Sequence, residues 1–175
     1  FGFAIPATVF YTLLMLIPII LALVLSFTNW SGYGTPKFVG LDNFVKLFQD
    51  ARFINSASNT LKITCVVVVC TNILSLALAV FLNGLVKYSK FFRMIFFLPY
   101  VMSTVAVAFI WLSILSYTGL LNSVLNQIGL GQYVTDYIGN AKNALTSIAV
   151  IEIWRTLGFH MVIYLAALQT VPNDL

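Results

Sequence analysis

Charge is what this sequence has least of. Lys, Arg, Asp and Glu together make up 8% of its 175 residues, against about 25% in a soluble domain, which must show water a polar surface. Hydrophobic residues make up 61% and the mean hydropathy is +0.99. Such a chain cannot cover itself with polar groups and needs lipid as part of its solvent. Chemistry-bearing residues are scarce as well. There is one histidine, no Ser-His-Asp set and no metal-ligand cluster, and the ten glycines are scattered rather than gathered into a phosphate loop. No catalytic role, cofactor or metal is therefore expected. The two cysteines, Cys65 and Cys70, share one apolar run. On a helix they point about 140° apart, so they cannot bond to each other and read as small packing residues. The net charge of +4 comes from basic residues dispersed among apolar spans, which is no nucleic-acid surface.

What is present is long apolar runs. Phe3–Phe27, Leu61–Leu82, Met94–Tyr117 and Ala144–Leu168 are each long enough to cross roughly 30 Å of hydrocarbon at about 1.5 Å per helical residue. Lipid offers no partner to unpaired backbone groups and the runs lack barrel-like alternation, so the fold expected is an all-α, polytopic membrane helix bundle. Pro18 and Pro99 should kink or end their helices. The run from residue 3 is too long for a signal-peptide core and reads as a spanning helix. A chain that opens on Phe1 rather than Met is expected to lack its start.

Orientation follows from the connections. The short one between spans two and three holds Lys87, Lys90 and Arg93 and no acid, whereas the longer one after span one mixes Lys37, Lys46 and Arg52 with Asp42 and Asp50. Density of Lys and Arg puts residues 83–93 in the cytoplasm, with both chain ends on the same side. The outer connections carry two expected interfacial helices. Asp42 can cap one through Phe44, Val45, Leu47 and Phe48, and Leu120, Leu121, Val124, Leu125 and Ile128 form the apolar side of another. Closing the bundle is the favoured role of both, ahead of docking an outside partner.

Span four has a polar edge. Arg155, Glu152, Thr156 and His160 sweep about 140° of a helical wheel, opposite Val150, Trp154, Leu157, Met161, Leu165 and Leu168. Counted from Ala144, Glu152 and Arg155 lie roughly 12–17 Å deep, near mid-bilayer. Ionisable groups there face a bundle interior or a wet cavity. Three residues apart, the two can pair, so a structural ion pair and a polar wall of a substrate path both stand open. His160 reads first as a hydrogen-bonded packing residue. Asn72, Ser75 and Ala79 in span two, like Ser103, Thr104, Ser113 and Ser116 in span three, read first as close-packing positions and second as path lining.

Several stretches then resemble a family. Phe38-Val39-Gly40-Leu41-Asp42-Asn43-Phe44, Asn59-Thr60-Leu61 and Phe92-Arg93-Met94-Ile95-Phe96-Phe97-Leu98-Pro99-Tyr100 are similar to sugar-type permease subunits of binding-protein-dependent ABC importers, of the maltose and glycerol-phosphate kind. So are Val105-Ala106-Val107, Ile110-Trp111, Gly119-Leu120-Leu121-Asn122, Trp154-Arg155-Thr156-Leu157-Gly158-Phe159, Leu165-Ala166-Ala167-Leu168-Gln169 and Val171-Pro172. The order matches along nearly the whole chain.

The resemblance implies a permease of six-span type in a bacterial or archaeal cell membrane. Residues 1–175 would be the N-terminal part of its transmembrane domain, ending before the coupling loop that docks on the ATPase. It implies a second permease subunit, an ATP-binding cassette ATPase dimer that uses the ATP, an extracytoplasmic solute-binding protein and a sugar or oligosaccharide as cargo. Glu152, Arg155, Thr156, His160 and Asn72 are the candidates for the substrate path. A glycerol phosphate, a polyol or another small solute is the alternative cargo. A membrane interaction protein without transport is the rival of another class, and a membrane enzyme is disfavoured by the missing catalytic set.

Overall fold

The computed structural model describes residues 2–84 and 89–170. Lys87 and the Val171–Pro172 pair lie outside the described residues. The chain divides into two compact units between Ser58 and Asn59.

The first unit opens with a helical run, Gly2–Leu25, built from α1 (Ile5–Tyr11) and α2 (Ile17–Leu25). A wider π turn, Thr12–Leu16, joins them. Pro18 in the first turn of α2 explains this turn. It has no N–H to offer the preceding turn and its ring crowds the carbonyl behind it. The backbone widens instead of ending, and the N–H of Ile17 reaches back to the carbonyl of Thr12.

Beyond α2 the chain folds into a closed loop. The N–H of Asn29 donates to the carbonyl of Lys37 at 3.0 Å and that of Val39 to Phe27 at 2.8 Å. Gly32 and Gly34 turn the loop at φ 99 and 74, where a side chain would strain the backbone. α3 (Asp42–Gln49) follows. Asp42 was expected to cap it, but Asp42 is its first helical residue and no side-chain cap bond forms; its charge still complements the helix N-terminus. Asn43 does the fastening, donating to the carbonyls of Ser26 and Thr28, each at 2.8 Å.

α4 (Ala51–Asn83) is 33 residues long, about 50 Å, and starts well before the expected Leu61. Asp50 is the reason. Its carboxylate accepts from the N–H of Arg52 at 2.8 Å and starts a helix that meets no Gly or Pro until Gly84.

In the second unit the expected third span, 94–117, is two helices. α5 (Ser89–Val101) holds Pro99 inside it and stops two residues later, and α6 (Thr104–Leu115) restarts after Ser103 takes an extended conformation (ψ 132). Pro99 withholds a donor from the last turn of α5, so the break falls just beyond it. α7 (Leu120–Gln127) lies where the second outer helix was expected. The connection around it is tied by Asn122, which is 2% exposed. Its amide donates to the carbonyls of Ser116, Tyr117 and Thr135 at 3.2, 3.0 and 2.6 Å. α8 (Ala141–Leu168) is capped by Asn140, whose side chain accepts from the N–H of Lys142 at 3.0 Å.

Among the described residues, four helical stretches are long and apolar enough to cross a membrane: Gly2–Leu25, Ala51–Asn83, Thr104–Gln127 and Ala141–Leu168. A turn at residues 116–119 interrupts the third. The core of the second unit is where α4, α5 and α8 meet. Ala79, Leu82, Met161 and Leu165 are buried there, with Phe92, Phe96 and Tyr164 packed around them.

Candidate functional site

α8 owes its position to small residues and a few hydrogen bonds. At Gly158 a Cβ would overlap the carbonyl of Phe96 on α5, so the two backbones touch and only glycine fits. From the other side Ser75 on α4 donates its hydroxyl to the carbonyl of Leu157 at 2.9 Å. The Tyr164 hydroxyl donates to the side-chain oxygen of Asn72, whose amide donates to the carbonyl of Val68 at 2.7 Å. Asn72, a sequence candidate for the path, thus belongs to the seam between α4 and α8. It does not line the cavity described below.

The other four candidates share one edge of α8. Glu152 and Arg155 form a two-pronged ion pair, with Nε to Oε2 at 3.0 Å and Nη2 to Oε1 at 2.7 Å. The orientation is that of a fork meeting a carboxylate. The pair lies along one helix, so it does not lock α8 to a neighbour, and the side chains remain 39% and 23% exposed. Thr156 returns its hydroxyl to the carbonyl of Glu152 at 2.7 Å, and His160 Nδ1 lies 3.0 Å from the carbonyl of Thr156. These local bonds let polar side chains sit in an apolar setting without a distant partner. The His160 ring also meets Phe159 edge to face at 5.5 Å.

Glu152 and Arg155 open on a cavity of about 580 Å³ between α6 and α8. Apart from the charge pair its walls are mostly apolar, Val107, Trp111 and Ile151 among them. Trp111 packs edge to face on Trp154, ring centres 5.3 Å apart. Its indole N–H is sealed from solvent and has no partner among the described residues. A net-neutral charge pair at the edge of an apolar recess can hydrogen-bond a polar solute without demanding that it be charged.

Sequence reasoning passed over Trp111, Gly158 and Tyr164 as contributors. The signal for Gly158 was available, a glycine in mid-helix beside an aromatic run. Nothing in the pattern pairs Tyr164 with Asn72.

A polytopic, helical membrane protein with a polar recess at mid-span is the class that fold and site define. No family model matches the chain. It is 35% identical to a probable ABC transporter permease protein of Bacillus subtilis, YurN, over 99% of this chain and 60% of that protein. It is 34% identical to LacF, the lactose transport system permease protein of Rhizobium radiobacter, over 99% and 58%. Among solved structures it superimposes on a bacterial ABC transporter involved in the import of the acidic polysaccharide alginate, with TM-score 0.83 and 26% identity, over 99% of this chain and 58% of that one. Over nearly its whole length the chain is thus similar to permease proteins of ABC transporters, a lactose permease among them. It spans between 48% and 60% of the length of the curated relatives compared.

Proposed function

We propose that the chain forms part of the translocation path of an ABC importer for a neutral sugar or oligosaccharide, with Glu152 and Arg155 on the wall and Thr156 and His160 next along the same edge. The observation that carries this reading is the partly exposed Glu152–Arg155 pair opening on the cavity beside Trp111. With its guanidinium already engaged twice by Glu152, Arg155 is a poorer trap for a phosphate than a free arginine, which favours a sugar over a glycerol phosphate. An extracytoplasmic binding protein delivers the solute, and a second permease subunit completes the path. Hydrolysis of ATP on two partner ATPase subunits drives alternation of a bistable bundle. A solved relative, the alginate transporter, has been seen in complex with an alginate pentasaccharide-bound periplasmic protein, which supports the binding-protein partner.

Under this reading residues 83–93 and both ends of the chain are cytoplasmic, in a bacterial or archaeal cell membrane. The test uses the complete gene product with its partner subunits. The Glu152→Gln/Arg155→Met double variant should fold and lose most uptake, whereas near-normal uptake by a well-folded double variant would make the pair structural only. For the topology, single cysteines at Ser89 and Ser123, with Cys65 and Cys70 replaced, are labelled by an impermeant reagent in intact cells. Position 123 should react and position 89 should not.

A further inference from the structure

Arg93 lies near the start of α5 with Lys90 one turn before it. Its Nε is sealed from solvent and has no hydrogen-bond partner among the described residues. The only ion pair among those residues is Glu152–Arg155. Burial of that one N–H without an acceptor carries a desolvation cost, while the side chain as a whole is only partly buried. Arg93 is also the one polar residue lining a shallow groove of about 270 Å³, whose other walls are Met94 and Phe97 of α5 and Val162 of α8. Met94 is 64% exposed, so the groove is open at the side. The arrangement is amphiphilic. Two cations sit at the end of a helix that packs on a membrane-spanning one, and an apolar channel leads away from them between the two helices.

We propose that this groove is a binding site for an anionic phospholipid, its phosphate on Arg93 and Lys90 and an acyl chain along Met94, Phe97 and Val162. Charge complementarity selects the occupant. A basic pocket between membrane helices suits an anionic headgroup, a zwitterionic lipid brings its own cation, and a soluble anion leaves the apolar walls uncovered. The inference needs α8 to cross a membrane and is independent of what the protein transports.

The test is native mass spectrometry of the delipidated complete gene product, titrated with dioleoyl phosphatidylglycerol or dioleoyl phosphatidylcholine. Phosphatidylglycerol should bind more tightly than phosphatidylcholine. Arg93→Gln should weaken it about tenfold, the scale of a lost charge-assisted hydrogen bond. Lys142→Gln, at the opposite end of α8, should leave it unchanged. Millimolar inorganic phosphate should not displace the lipid. Should Arg93→Gln fail to fold, Arg93→Lys keeps the charge without the Nε donor and should bind several-fold more weakly than wild type. Equal binding of the two lipids, indifference to both Arg93 variants, or displacement by phosphate alone would each overturn the proposal.

Discussion

The first helical run, Gly2–Leu25, and α8 are both long and apolar enough to span a membrane, yet they are made differently. The first carries no charged residue, and none of its described residues is buried. α8 is less apolar, carries the ion pair, and buries Ala149, Gly158, Met161 and Leu165. The contrast teaches that hydropathy and packing are separate properties in lipid. Lipid tails are as apolar as leucine, so a greasier helix gains nothing by facing its neighbours. Small residues and hydrogen-bonding groups are what hold α8 against α4 and α5.

The comparison breaks most readily at Met161, which is 0% exposed. In the complete gene product Met161→Ala should cost about 2–5 kcal/mol of stability, the range for a buried large-to-small change. Ile20→Ala in the first run, at a residue 60% exposed, should stay within about 0.5 kcal/mol. Thermal unfolding in detergent checks both, and an equal loss at the two sites would erase the distinction.

Glycine sharpens the same contrast. A methyl at Gly158 would overlap the Phe96 carbonyl, whereas one at Gly2 meets nothing within 4 Å. Gly158→Ala should therefore destabilise by about 1–3 kcal/mol through forced separation of α5 and α8. Gly2→Ala should have no measurable effect. The folded fraction on size-exclusion chromatography is the readout.

Next comes the charge pair. Glu152→Gln or Arg155→Met alone leaves one charge without its partner, and the double change leaves none. The double variant should recover about 1–2 kcal/mol relative to the sum of the singles. Additive losses in the cycle would show that the ion pair contributes nothing to folding.

The smallest effect is expected at the seam. Tyr164→Phe removes the hydroxyl that reaches Asn72 and should cost about 0.6 kcal/mol, typical of one hydrogen bond between membrane helices. Asn72→Leu added to Tyr164→Phe should then cost little more, and a large further loss would mean that Asn72 holds something besides Tyr164.

Much of the fold was legible. The membrane class, α8 and the two short helices α3 and α7 all follow from hydropathy and helical periodicity, which report properties of single segments. The break after Pro99 was half legible, because proline announces that a helix will yield but not whether it kinks, widens or stops. Pro18 widened its helix into a π turn and Pro99 preceded an end. The early start of α4 was missed because a cap at Asp50 and good helix formers extend a helix beyond its apolar window.

At the candidate site the sequence determined that Glu152, Arg155, Thr156 and His160 share an edge and that the first two can pair. A helix fixes the angle between its own residues at every point along its axis. It could not determine that the pair faces a cavity beside Trp111, that Asn72 is taken up by Tyr164, or that Gly158 is the point where α5 and α8 touch. Those are distances between segments far apart in the chain, and only the packing of α4, α5, α6 and α8 in three dimensions decides them.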